Sequence, residues 1–326
     1  MITKIKVENL TVFEDMEMDI DANVNVIIGE NGTGKTHLLK FINMGAEDFE
    51  EFSKGTILKS PFMVSQENLI RDIQKSKGIL TIFQREIWRT CTIDLDGKSN
   101  TQERYFNFSI GKKLKPVFIP AKDMLTHSPN FLSWERDYTL PFDKTLIDII
   151  AKASFPRLKE IPEIAKNILP KLEKAMDGIV IFENEEFFIL KNNGQKYSFA
   201  VEAEGMKKIG LIWSLLMSGR ITKDSVLLWD EPEANINPKL IPVLADIILE
   251  LGRNGVQIFL ATHDYFLPKY LEVLAAEQDK VAFHALYKTE NGVKCESDSK
   301  FSYLDENAII EERIKLYRKE IEVGFE

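Results

Sequence analysis

The stretch Gly29-Glu30-Asn31-Gly32-Thr33-Gly34-Lys35-Thr36 decides the reading of this chain. It satisfies G-x-x-x-x-G-K-[ST] at every required position, the pattern of a loop whose backbone N–H groups surround phosphate oxygens. Its flanks suit that geometry. Asn23 to Ile28 is an apolar, strand-like run and Thr36 to Phe41 reads as a helix, so the positive helix end would face the phosphates. Within such a loop Lys35 would contact β and γ phosphates, and the Thr36 hydroxyl would bind Mg²⁺.

Two later strands supply what a phosphate loop lacks. Val226-Leu227-Leu228-Trp229-Asp230-Glu231-Pro232 delivers two carboxylates at the end of an apolar strand. Adjacent acids there suit a division of labour: Asp230 would orient the Mg²⁺ shell, and Glu231 would polarise the attacking water. The next strand, Val256 to Ala261, ends in Thr262-His263. At the carboxyl edge of an open α/β sheet, where ligands bind, His263 would hydrogen-bond the γ-phosphate or hold the water.

Outward from these points, regular alternation resumes after Gly205: helix Met206 to Ser218, strand Ser225 to Trp229, helix Pro238 to Leu251, strand Val256 to Ala261. Strands separated by helices imply crossovers and a parallel sheet. Ile241, Leu244, Ile248 and Leu251 share one helical face and are read as core. Between the loop and this half lie short β-rich pieces (Ile79 to Phe83, Trp88 to Ile93, Tyr105 to Ile110) with turns such as Asp96-Gly97, expected to form an antiparallel insertion. Proline-bracketed Val117-Phe118-Ile119 fits a buried strand returning to the main sheet. Asp143 to Met176 is helical by periodicity, followed by two strands, Ile179 to Glu183 and Phe187 to Lys191.

Composition narrows the function. With 326 residues, 44% hydrophobic and 29% charged, the chain is long enough for two globular units or one core with insertions. The longest apolar runs fall short of the roughly 20 residues that span a bilayer, and the amino terminus alternates like a strand, so a cytoplasmic protein is expected. Cys91 and Cys295 form no Cys-x-x-Cys pattern, and His37, His127, His263 and His284 match no metal cluster. A net charge of −9 argues against nonspecific coating of nucleic acid, without excluding a local basic groove. The short basic groups Lys112, Lys113 and Lys115, Lys207 and Lys208, and Arg313, Lys315, Arg318 and Lys319 read as solvated surface.

Taken together, the loop, the Asp230-Glu231-Pro232 run and the Thr262-His263 pair resemble the nucleotide-binding domains of ABC-type ATPases. More narrowly, the chain resembles the RecF, SMC and OLD-like branch, and within it the AAA family ATPases of bacterial anti-phage defence modules. The resemblance covers Gly29 to Thr36, Val117 to Leu125, Ala203 to Gly210, Val226 to Pro238 and Phe259 to Tyr265. It implies an α/β P-loop NTPase: an ABC-type ATPase head whose mostly parallel sheet is flanked by helices, with an antiparallel β subdomain and a helical insertion. The expected division is a discontinuous core at 1–50, 116–142 and 198–290, a β-rich insertion at 51–115, a helical and hairpin insertion at 143–197, and a tail with a helix at 291–326.

The resemblance further implies ATP and Mg²⁺ as ligands, with His37 added to the nucleotide-contacting loop. Val201 to Lys208 would be the signature loop, its Gly205 facing the γ-phosphate of a partner subunit. There Ala203 replaces the family's serine and Glu204 stands beside it. Ala234 and Asn235 occupy the D-loop position at the dimer seam. The Mg²⁺-linking glutamine is Gln66 or Gln84, and Phe13 is the candidate adenine contact. The function so implied is an ATPase switch: ATP closes a homodimer or higher oligomer, and hydrolysis releases it to control a separately encoded nuclease or toxin. The alternative is a DNA repair or recombination ATPase that clamps DNA. A transporter ATPase fits less well because of the altered signature loop, and a purely structural ATP-binding module because Glu231 is present.

Overall fold

Three strands open the chain: β1 (Lys4–Leu10), β2 (Phe13–Asp19) and β3 (Val24–Gly29). The computed structural model describes residues 1–47, 61–84, 87–94, 99–105, 114–138 and 140–324. Helix α1 (Lys35–Ala46) follows the loop, then β4 (Lys77–Gln84), β5 (Ile87–Asp94), β6 (Ser99–Tyr105) and β7 (Lys115–Ile119). Next come α2 (Phe131–Asp137), α3 (Lys144–Ala153), α4 (Leu169–Met176), β8 (Gly178–Glu183), β9 (Glu186–Lys191) and β10 (Lys196–Ser198). The remainder is α5 (Glu204–Met217), β11 (Ser225–Asp230), α6 (Ile241–Arg253), β12 (Gln257–Ala261), α7 (Phe266–Leu274), β13 (Val281–Thr289), β14 (Gly292–Asp298) and α8 (Ala308–Gly324).

A six-stranded sheet runs β14-β13-β3-β12-β11-β7, with every pair parallel except the β13–β14 hairpin at one edge. Its inner strands are buried on both faces, and their side chains divide by alternation. Leu227 and Trp229 of β11, with Ile258 and Leu260 of β12, join a core shared with α3 to α6; Val226, Leu228 and Phe259 join a second core shared with α1. Continuous apolar runs are what a strand covered on both sides requires. The expected core face of α6 is buried at all four positions, Ile241, Leu244, Ile248 and Leu251.

The second core is closed by a five-stranded antiparallel sheet, β2-β1-β4-β5-β6. Strands of the expected insertion therefore share one sheet with the amino-terminal hairpin, through pairs such as Ile5 with Ile82. Helix α1 passes between the two sheets so closely that Gly45 lies against Ile82, where a Cβ would approach its Cγ1 to 2.2 Å. The third strand of the expected insertion, at the edge of this sheet, is Ser99–Tyr105, earlier than the expected Tyr105 to Ile110. Residues 106–110 and the Asp96-Gly97 turn lie outside the described residues.

The carboxyl-terminal pieces hold one larger surprise. β13 pairs directly with β3, and the expected boundary at residue 290 falls in the turn between β13 and β14, so the strand beside the phosphate loop comes from near the end of the chain. No helix of the described residues is long and apolar enough to cross a membrane.

Candidate active site

The phosphate loop begins where β3 ends. Gly29, Gly32 and Gly34 have φ of 148°, 80° and 85°, a region that favours glycine. Space demands it as well: a Cβ on Gly29 would sit 2.3 Å from the Leu286 carbonyl oxygen, and one on Gly34 2.5 Å from Val12. Thr33 is fully buried and donates its hydroxyl to the Glu30 carbonyl at 2.9 Å, bracing the loop, while Glu30, Asn31 and Gly32 are exposed at its rim.

Lys35 is 6% exposed and donates to the carbonyl oxygens of Gly29 (2.7 Å) and Glu30 (2.9 Å). Burial lowers its pKa to about 8, against the pull of Asp230 and Glu231. A buried cation held by carbonyl oxygens alone would gain by exchanging them for an anion, so the loop suits a phosphate chain. The Thr36 hydroxyl donates to Asp230 Oδ2 at 2.8 Å. This bond joins the loop to the end of β11, across 194 residues of sequence. Burial pushes the Asp230 carboxyl up, opposed by the Thr36 hydrogen bond. A hydroxyl and a carboxylate meeting beside a phosphate loop are the oxygen donors that a magnesium ion bound to a nucleotide takes from protein. Among the described residues no group of three or more His, Cys, Asp or Glu forms a separate metal site.

Glu231 follows with φ of 47°, a left-handed conformation costly for a side chain of its size. Three bonds hold it there. Its N–H donates to Ala261 O at 2.8 Å, and its carbonyl accepts from Ala234 N at 3.1 Å and from Lys208 Nζ at 2.7 Å. Its carboxylate lies 3.7 Å from His263 Nε2. Burial and the nearby Lys35 hold His263 below its ordinary pKa, with Glu231 and the Gly29 backbone pulling the other way. His263 is therefore neutral near pH 7, able to accept or donate at a water between the two residues. Lys35, Thr36, Asp230, Glu231 and His263 thus converge on the carboxyl edge of β3, β11 and β12.

Other expected residues stand elsewhere. Gly205 lies against Ile236 and the Asn235 carbonyl, its would-be Cβ 3.5 Å from Ile236 Cα. The residue expected at the signature position thus rests on the segment expected to be the D-loop of its own chain. Ala203 caps α5 without a side-chain hydrogen bond, and Glu204 turns to Lys207 at 2.7 Å, so its charge is met within the chain. His37 packs edge-on against Phe62. Phe13 is fully buried against Phe41 and the would-be Cβ of Gly34, which makes it core and not an adenine contact. Gln84 pairs with Ile87 at the end of β4 beside Lys4, whereas the loop lies near Val12 and Phe13, past the far end of β1; this removes Gln84 as the Mg²⁺-linking glutamine. The Gln66 side chain lies outside the described residues.

One correction matters for the site. Lys207 and Lys208, expected at the surface, are 6% and 7% exposed. A two-lysine run carries no sign of burial, but here α5 is covered on nearly every side, and both ammoniums reach oxygen partners: Lys207 reaches Asp123 and Glu204, and Lys208 the Glu231 and Pro232 carbonyls. Glu233 was also missed. It accepts from the Thr262 hydroxyl at 2.5 Å, its Oε2 is buried without a partner, and burial raises its pKa to about 7. Thr262 in turn accepts from Asp264 N at 2.9 Å, so Glu233 pins the turn that presents His263. Lys288 of β13 reaches Glu30 at 3.5 Å on the loop rim. Only its place beside β3 marks it, which the sequence hides. The remaining basic groups divide: Lys115 and Arg313 to Lys319 are exposed, and Lys112 and Lys113 lie outside the described residues. Cys91 and Cys295 are free thiols.

Comparison with known proteins agrees with this architecture. Residues 119–267 match a family described as "AAA domain, putative AbiEii toxin, Type IV TA system", and residues 1–84 match "AAA ATPase domain". The DNA repair protein RecN of Aquifex aeolicus (strain VF5) is 20% identical over 203 residues, covering 55% of this chain and 39% of RecN. The chain thus spans about two fifths of the curated relative it matches. A solved SmcHead bound to the C-winged helix domain of ScpA superposes with a TM-score of 0.58 at 12% identity, covering 91% of this chain and 97% of that one. An Smc head with an extended coiled coil, bound to the C-terminal domain of ScpA derived from Pyrococcus furiosus, gives 0.58 and 12%, covering 98% of each chain. The SMC head domain from Thermotoga maritima gives 0.51 and 16%, covering 90% of this chain and 98% of that one. At such identities the likeness is one of fold.

Proposed function

We propose that this chain, whose fold is that of an ABC-type ATPase head of the RecF and SMC-like kind, binds Mg-ATP in the Gly29–Thr36 loop and hydrolyses it. The observation that carries the reading is the 2.8 Å bond from Thr36 to Asp230, which brings Glu231 and His263 to the phosphate loop. Lys35 would leave its two carbonyls for the β and γ phosphates. Thr36 and Asp230 would hold Mg²⁺, which supplies positive charge against the phosphate oxygens when bound. Glu231 would accept a proton from water as the water oxygen bonds the γ-phosphorus and the bond to the β–γ bridging oxygen breaks, giving ADP and phosphate. Neutral His263 would orient that water.

Two copies would close face to face over the ATP. The D-loop is exposed at Asn235, Asn237, Pro238 and Lys239, and beside it Val201 is 75% exposed. The start of α5 has no side-chain cap, which leaves its first N–H groups available to a phosphate carried by the other copy. We read DNA as the object of this closure, since the RecN relative is by name a DNA repair protein. Control of a separately encoded nuclease or toxin in anti-phage defence is the second reading. It rests on the resemblance of the sequence and on the toxin named in the description of the match over 119–267.

Glu231→Gln tests the proposal. ATP affinity should be kept, turnover should fall about a hundredfold or more, as for loss of a general base, and light scattering should show further association that depends on ATP. Turnover by the variant near the wild-type rate would sink the assignment. Retention of duplex DNA by the ATP-locked variant supports the DNA reading, and its absence favours the effector.

A further inference from the structure

Helix α8 stands off the body of the molecule. Only its start is packed, with Ile309 and Ile310 against the core beneath the central sheet and Arg313 stacked 3.7 Å over the Tyr265 ring. None of its seventeen residues is buried. Yet Ile310, Ile314, Tyr317 and Ile321 recur at spacings of four, three and four, the seam of a coiled coil. Ile314, Tyr317 and Ile321 are 46%, 63% and 41% exposed, and the Glu312–Lys315 pair lies on the opposite side of the helix. A single helix of this length is marginal in water, and a bare apolar seam along it marks a surface that something covers.

The charges beside the seam identify the occupant. Glu311 and Arg318 flank it on one side, Arg313 and Glu320 on the other. In a parallel pair Arg313 would meet Arg318 of the other helix, two like charges. In an antiparallel pair centred between Lys315 and Leu316, Ile314 of each copy faces Tyr317 of the other, and Ile321 reaches the side of Ile310 that its own core leaves uncovered. Glu311 then meets Arg318, and Arg313 meets Glu320, each twice by symmetry. A stripe complementary to itself under a two-fold axis is the requirement for an isologous contact. Stacking on Tyr265 leaves the edge of the Arg313 guanidinium free for a carboxylate.

We propose that α8 pairs antiparallel with α8 of a second copy of this chain, a contact separate from the nucleotide-dependent one and present without ATP. Sedimentation of the nucleotide-free chain tests it. The wild type should dimerise; Glu311→Arg and Arg318→Glu should each weaken the dimer about tenfold, since each turns two attractive contacts repulsive, and the double variant should recover it. Ile314→Asp should abolish the dimer, with ATP affinity and far-UV circular dichroism reporting that all variants fold. A wild type that stays monomeric without ATP, or a double variant no better than the singles, overturns the proposal. So does a monomer that instead binds lipid vesicles through α8. Because no nucleotide is present, a failure here leaves the Glu231 experiment untouched.

Discussion

Replacing Glu233 with Gln should stabilise the protein at pH 8 far more than at pH 5. Burial raises this carboxyl from 4.5 to about 7, whereas in the unfolded chain it titrates at its ordinary value. Between those values the folded chain keeps a proton that the unfolded chain has released. Stability is therefore lost as pH rises from about 4.5 to about 7 and is level above that. The full gap corresponds to about 3 kcal/mol, of which about 2.5 kcal/mol falls between pH 5 and pH 8. Gln still accepts from the Thr262 hydroxyl but carries no charge. Its amide replaces the unpartnered Oε2, leaving a buried donor that costs about 1 kcal/mol at every pH. Urea unfolding of both proteins at the two pH values measures the difference of differences. A Glu233→Gln effect equal at pH 5 and pH 8 would refute the claim that this carboxyl is held protonated by burial.

Two further outcomes follow from the same geometry. Lys208→Met should lower kcat for ATP about tenfold to a hundredfold with little change in KM, because it removes the ammonium that holds the left-handed Glu231 backbone and touches no substrate; a raised KM at unchanged kcat would count against it. ATP affinity should weaken above about pH 8, where free Lys35 loses the proton that a phosphate chain requires, by up to about tenfold per pH unit. Nucleotide titrations from pH 7 to 9.5 that stay flat would remove Lys35 from that role.

The phosphate loop and the two strand-end motifs were legible because each demands residue types that few other structures need. Gly29 must avoid a backbone oxygen, and Asp230 must come out of a strand buried on both faces. The parallel sheet was legible because helices separate the apolar runs of β11 and β12, which imposes crossover connections. What stayed hidden depends on distant pairing. Nothing in Val281–Thr289 announces that it lies beside β3, and no local pattern ties Lys4–Leu10 to Lys77–Gln84. Lys207 and Lys208 misled because a lysine is ordinarily solvated; what partners them is the Glu231 carbonyl and an acid some 84 residues away. Glu233 looked like one more polar loop residue, and only its Thr262 bond shows that it steadies the histidine turn.

The placement of β3 has a consequence for how the molecule is made. All six of its residues are buried, yet its two sheet neighbours are β12 and β13, which leave the ribosome roughly 230 and 250 residues later. At ordinary translation speeds of about 5–20 residues per second the nascent chain carries this apolar ribbon unpaired for on the order of ten seconds or more. Polypeptides released before residue 257 cannot complete the central sheet, and they expose a sticky edge to one another and to chaperones. The loop at the end of β3, which lies against Leu286 and bonds Asp230, is therefore assembled only after those distant residues have been made.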